Sequence, residues 1–365
     1  MNSQRTCSFQ RVSTKSSART ATDSARPQVD QQCSPASERP STEQSPLYIN
    51  SLQVNTASSI SEGDVNLDHV ELLIHLSLSK DMFNLAFGID TYHPSGLMLA
   101  LTTSFKSPVL MHQLLAFSSR HLAYLHLECC AFYEHQAVAL QTKAISLFNT
   151  TYAIAGVDQS NCVVIVLFAS ILGHHTLADA LAMRPAEGLG AFIQHYVRCI
   201  GTHLGIYTIA KTAWSMLMQS EIEPVLSLSQ AFTSREPRGQ HCDLTREMVE
   251  ASSGLDDAEK EACRTVLRYL QVGLDAATAE GEEENRYHMV CTWTMLLEPQ
   301  FAKLLRDMRP EALVILAYYA ELLYYAKDLW EVRDAGSYVF NLVWDDLDET
   351  TKQWLEPPRQ VIQRF

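Results

Sequence analysis

Residues 162–181 read CVVIVLFASILGHHTLADAL, and the reading of this stretch decides the fold. Its first 11 residues, Cys162 to Leu172, are uncharged, and the valine-rich run at 163–166 would suit a buried strand by periodicity alone. A strand needs partners to be stable, and no second run of comparable quality occurs in the chain. Read as a helix, the first part is apolar all round, which places it at the centre of a core. Asp158-Gln159-Ser160-Asn161 just before it offers several side chains able to cap its first turn. The apolar run stops at Gly173-His174-His175, well short of the roughly 20 residues that cross a bilayer, so no membrane span is expected.

Helical spacing continues on both sides. Asn66 can cap a helix whose apolar positions Leu72, Leu73, Leu76, Phe83 and Phe87 recur at three and four residues, with Glu71, His75 and Lys80 largely on another face. Ser107-Pro108 is a helix start, because the serine oxygen accepts a first-turn amide and proline at the first helical position forfeits no hydrogen bond. The stripe Leu110, Leu114, Phe117, His121, Tyr124 follows it. Tyr133 to Phe148 forms another amphipathic helix, with Val138, Ala144, Ile145 and Phe148 as inward candidates. Helices are expected at 188–220, 243–253, 256–279, 285–297 and 310–330, the last opened by Pro310 and interrupted within Ala312–Ala326 only by Glu321. Thr233–Asp243 reads as a mobile loop and Ala279–Arg286 as a solvated acidic turn. The fold class expected is all-α, a multi-helix effector-binding type of domain.

Of the 365 residues, 47% are hydrophobic and 19% charged, with 28 Lys plus Arg against 42 Asp plus Glu. Residues 1–46 hold six basic and four acidic residues, 15 Ser or Thr and four Pro, so they are +2 while the remainder, with 22 basic and 38 acidic residues, is −16. Such a segment cannot bury enough apolar surface to offset the entropy of ordering it, so 1–46 reads as a disordered arm and 47–365 as the helical domain. No apolar signal-peptide core occurs near the start. The nine cysteines are scattered, and their odd number resembles a reducing compartment more than a disulfide framework.

The motifs of catalysis are missing: there is no G-x-S-x-G, P-loop, G-x-G-x-x-G, H-E-x-x-H or C-x-x-C. No catalytic residue, metal ligand or cofactor site is therefore expected, and the chain reads as a non-enzyme. Cys129-Cys130 cannot both face one ion on a helix and read as half-buried small side chains. His175 and Asp179 share a helix face, but no third ligand converges with them, so capping or surface hydrogen bonding is the reading there. His121, with His126 and Glu128 nearby in sequence, is a core or rim histidine before it is an acid–base group. Among the aromatic residues, core packing is the first reading. The second is that Phe83, Phe87, Phe117, Phe168, Trp293, Tyr318 and Phe340, with His121, line a pocket for an apolar ligand.

Several blocks carry a family resemblance: NLDHVELLIHLSLSKDMF (66–83), SPVLMHQLLAFSSRHLAYLH (107–126), YEHQAVALQTKAISLFN (133–149), VLFASILGHHTLADALA (166–182), HYVRCIGTHLGIYTIAKTAWSMLMQSEIEPVL (195–226) and RPEALVILAYYAELLYYAKDLWEV (309–332). In this order they resemble the C-terminal regulatory domain of fungal zinc binuclear cluster transcription factors, most closely the sterol uptake control type, over about residues 66–357. The resemblance implies a helical domain with a hydrophobic pocket for a sterol or other apolar molecule. It also implies a nuclear protein that shuttles with the cytoplasm, regulates RNA polymerase II transcription, contacts the transcription machinery and pairs with a second copy of itself. DNA contact in that family runs through six cysteines around two zinc ions. Here only Cys7, in the family-like ending Cys7-Ser8-Phe9, and Cys33 precede Cys129, so zinc and DNA are expected only if the rest of that cluster exists upstream. The position of Cys7 favours a chain that starts inside the cluster over one that has lost it. The alternative function is a ligand-free helical scaffold or dimerisation protein.

Overall fold

The computed structural model describes residues 65–83, 89–152, 156–282 and 285–363, and every regular element among them is helical. The expected all-α class is what the chain adopts. Cys7, Cys33, Phe87, the arm at 1–46 and the expected domain start at 47 lie outside the described residues. The compact unit that follows Asn66 runs from Leu67 to Phe365.

Its first part comprises α1 (Leu67–Leu78), a 3-10 turn (Lys80–Phe83), α2 (Ile89–Ser104), α3 (Pro108–Leu125), α4 (Cys130–Tyr152) and α5 (Cys162–Ala182). The periodic run after Asn66 therefore breaks before Phe83, which sits in the 3-10 turn, while Leu72 and Leu76 of α1 are fully buried. α3 starts where Ser107-Pro108 requires: Ser107 Oγ accepts from Leu110 N at 3.3 Å and Pro108 is the first helical residue. α3 and α4 are joined by the turn Leu127–Cys129 and pack along their length. On α4 the buried positions are Tyr133, Ala137, Leu140 and Ala144. Val138 (62% exposed) and Ile145 (37%) face outward, contrary to the sequence reading. Ala137 and Ala144 hold inner positions where α4 packs on α3, and Phe148 packs inward as expected, stacking on Phe168 at 4.5 Å.

The second part comprises α6 (Leu189–Thr212), α7 (Trp214–Leu217), α8 (Glu223–Thr233), α9 (Asp243–Ala251), α10 (Asp257–Thr278), α11 (His288–Met295), α12 (Pro299–Arg306), α13 (Pro310–Tyr325), α14 (Ala335–Asp346), α15 (Glu349–Lys352) and α16 (Glu356–Ile362). α8, α12, α14, α15 and α16 lie outside the expected helix ranges. Asp256 and Glu259 close a capping box at the start of α10, which fixes where that helix begins. Every residue of α13 from Ala312 to Leu323 is buried, Glu321 included.

α5 is the hub that the opening stretch implied. Phe168, Ile171 and Ala178 pack into the cluster with α3, Leu177, Ala180 and Leu181 into the large core with α6 and α10–α14, and Cys162 and Val166 into a third cluster with α7. Such all-round burial explains why α5 has no polar face. By length and composition it is the one described helix that could cross a membrane, but most of its surface is inside the fold, as expected of a core helix.

Candidate functional site

One face of α5 carries Val166, Ser170 and His174 at successive steps of four, and this row forms the floor of a partly enclosed groove of about 330 Å³. Ile206 and Ala210 of α6 with Trp214 of α7 make one wall. Leu226, Ser229 and Thr233 of α8, Tyr269 of α10 and Met295 of α11 also line it. The lining is mainly apolar, with Ser170, His174, Ser229 and Thr292 inside it and Lys211 and Gln230 at its edge. This is the composition of a small-molecule site: apolar walls with a few polar groups that fix orientation. Ser229 Oγ lies 3.3 Å from His288 Nε2, tying α8 to α11.

Three of the helices that line the groove, α5, α6 and α11, are clamped together. His203 of α6 places Nε2 2.9 Å from the carbonyl oxygen of Gly173 on α5 and Nδ1 against Thr294 Oγ1 on α11. Thr294 Oγ1 also lies 2.6 Å from Cys291 O, and its single proton serves one of these two acceptors. Glycine at 173 permits this approach, since a Cβ there would lie 2.9 Å from Ile206 Cδ1 and 3.2 Å from His203 Nε2. Burial pushes His174 and His203 down to about 4, so both imidazoles are neutral at pH 7 and the groove floor carries no cation.

The aromatic residues that the sequence marked do not meet in one place. Phe117, Phe168 and His121 lie with half-buried Phe83 in the cluster around Trp330, where Phe117 is 5.4 Å and His121 4.8 Å from the Trp330 ring. Trp293, Tyr318 and Phe340 lie in the large core: Trp293 stacks on Tyr319 at 4.2 Å and donates to Val266 O, and Tyr318 donates to Trp354 O. None of these seven lines the groove. A large aromatic on a helix face finds its partner in the neighbouring helix. The residues that leave a cavity open are the small and polar ones, and the sequence signal for them was Ser170 and His174 on an otherwise apolar helix.

His121 pairs with His75, Nδ1 to Nε2 at 3.0 Å, and burial brings His121 down to about 3 and His75 to about 4. His126 and Glu128, 3.9 Å apart, are a separate exposed pair. His174 and His175 are both buried, not at the surface as expected, and they diverge around α5. His175 Nε2 is 3.6 Å from Asp179 Oδ2, whose other oxygen takes the Arg120 guanidinium at 2.6 Å. Cys129 and Cys130 are half-buried. Among the described residues no group of three or more His, Cys, Asp or Glu is arranged to hold a metal ion. The polar loop after α8 is tied down by its own polar groups: Arg235 reaches Glu282 at 2.9 Å, and the Arg238 and Gly239 amides donate to Asp275 at 2.7 and 3.0 Å. Glu282 of the acidic turn is thus an anchor and not simply solvated. The chain matches no family model and no curated protein.

Proposed function

We propose that this chain is the effector-binding domain of a transcription regulator of the zinc binuclear cluster type, and that the α5–α6–α8–α11 groove takes a sterol or another apolar molecule bearing one polar group. The observation that carries this reading is the groove itself: a cavity of about 330 Å³ with apolar walls and Ser170, His174, Ser229 and Thr292 inside. It falls within the size range of ligand sites. In this reading DNA contact belongs to a six-cysteine zinc cluster that two N-terminal cysteines cannot build, and the protein acts in the nucleus with the transcription machinery. The test is thermal unfolding with a panel of sterols and long-chain lipids, on the wild type and on Ala210→Trp, which fills the groove at α6. A ligand at 100 times its Kd stabilises by about 2.7 kcal/mol. A rise in Tm for the wild type that Ala210→Trp lacks supports the proposal, and no rise across the panel overturns it.

One observation favours the second reading, a scaffold or dimerisation module. Leu67, Val70, Ile74 and Leu78 line one side of α1 at steps of three and four and are 60%, 36%, 53% and 75% exposed. On that reading Ile74→Glu converts a dimer to a monomer in light scattering after gel filtration. A wild type that is monomeric at all concentrations refutes it.

A further inference from the structure

His174 is only 7% exposed, and it lines the α5–α6–α8–α11 groove. Among the described residues no group hydrogen-bonds to its imidazole. The four other buried histidines all have a partner: His121 pairs with His75, His175 with Gln113, His203 with Gly173 and Thr294, and His288 with Ser229. Nor are the His174 nitrogens among the atoms that packing seals off without a partner, as it does Glu321 Oε1 and Tyr196 Oη. A polar ring that is nine-tenths buried, unpartnered and open to a cavity is costly to keep, and such groups persist where something else completes them.

Ser170 lies one turn before His174 on the same face of α5, their Cβ atoms about 6 Å apart. Its hydroxyl, like that of Thr292 on α11, has no hydrogen-bond partner among the described residues. Val166, a further turn back and about 12 Å from His174 along the helix axis, packs with Ala213, Leu217 and Leu226. The row on α5 therefore has a polar end at His174 and an apolar end at Val166. No Asp or Glu lines the groove, and its one charged residue, Lys211, is exposed at the edge.

We infer that the groove takes its ligand with an uncharged oxygen group, a hydroxyl or a carbonyl, against His174 and Ser170 and with the apolar body along Val166. The inference rests on the reading of this groove as an effector site and names the chemistry of the effector's polar end. A neutral imidazole has one donor and one acceptor, and the Ser170 hydroxyl has both. A ligand hydroxyl can donate to the ring and accept from Ser170, and a carbonyl oxygen can accept from both. Burial holds His174 down at about 4, so it is neutral at pH 7. A carboxylate placed there would lose its hydration without gaining a counter-charge, and an ammonium would find no carboxylate in the lining.

The probes are 1-decanol, 2-decanone and decanoate, titrated calorimetrically into the full chain at pH 7. Decanol and decanone are each expected to bind at least about tenfold more tightly than decanoate. His174→Phe is expected to weaken decanol and decanone about tenfold, the share of one hydrogen bond, and to leave decanoate unchanged. His174→Gln, which keeps a donor and an acceptor, is expected to retain most of the affinity. The ring has no protein hydrogen bond to lose, so the Tm of unliganded His174→Phe is expected not to fall; should that variant not fold, Ser170→Val carries the same comparison. Decanoate binding as tightly as decanol, or decanol affinity unchanged in both His174→Phe and Ser170→Val, overturns this inference and leaves the groove as a ligand site. No binding of any of the three overturns it too, and the sterol and lipid panel with Ala210→Trp then decides separately on the groove.

Discussion

Glu331, in the short segment between α13 and α14, is 2% exposed, and neither carboxyl oxygen has a hydrogen-bond partner on another residue. Burial pushes it from the ordinary 4.5 up to about 8, its own backbone N–H giving only partial relief. The folded protein therefore keeps this carboxyl protonated at pH 7 while the unfolded chain ionises it. Because the folded value is raised, the native state holds the extra proton between 4.5 and about 8, and stability falls across that window as pH rises. The slope is about 1.4 kcal/mol per pH unit, and over the 2.5 units from 4.5 to 7 the accumulated loss is about 3.4 kcal/mol. Glu331→Gln removes the titration but leaves an unpartnered amide, which costs about 1–3 kcal/mol. Its net gain at pH 7 is then about 1–2 kcal/mol, and at pH 4.5 it is neutral or destabilising. Glu331→Met, apolar and of similar length, should recover more. Urea unfolding at pH 5, 6, 7 and 8, with a common m-value, reads the difference. The gap between variant and wild type should widen with pH up to about 8 and then stop. A gap that stays constant with pH, or a Glu331→Met variant less stable than wild type at pH 8, would refute the reasoning.

Burial lowers His174, His203 and His288 to about 4 each, so on acidification the unfolded chain takes up protons from 6.5 downward while the native state does not. Stability should therefore fall between pH 6.5 and 4, by about 4 kcal/mol per unit near the middle if all three act together; a flat urea-unfolding profile over that range would sink this. Gly336→Ala should destabilise by about 3 kcal/mol or prevent folding, since the new Cβ would lie 2.5 Å from Tyr324 N and 2.6 Å from Ala320 O, backbone atoms of α13 that cannot give way. A Gly336→Ala protein with unchanged Tm would show that α14 does not pack on α13 as closely as described.

The sequence reading was strongest where a local rule decides. Ser107-Pro108 set the start of α3 through a cap and a first-turn proline, and the all-round apolarity of Cys162–Leu172 marked α5 as the hub. It was weakest where a face is chosen by the neighbour. Val138 and Ile145 are apolar enough to be read inward, yet Ala137 and Ala144 take the inner stripe because α3 lies close. Neither fact about α3 is visible in the α4 sequence. The site was illegible for a related reason: Ser170 and Met295 line one groove although 125 positions separate them, and only the packing of α5 on α6 and α11 brings them together. The aromatic side chains that the sequence marked lie in two packed clusters, because their large surfaces close cavities, as Trp293 on Tyr319 does. Polar residues inside apolar helical runs mark other places. Ser170 and His174 on α5 line the groove, and Glu321 on α13 meets His241. The physical reason is the cost of burial: a polar group survives on a core-facing stripe only where a partner, a cavity or a ligand meets it, so each such position points to a structural or functional contact. His203 is the structural case, clamped between Gly173 and Thr294, and Glu321 Oε1 is the case left unmet by the protein itself.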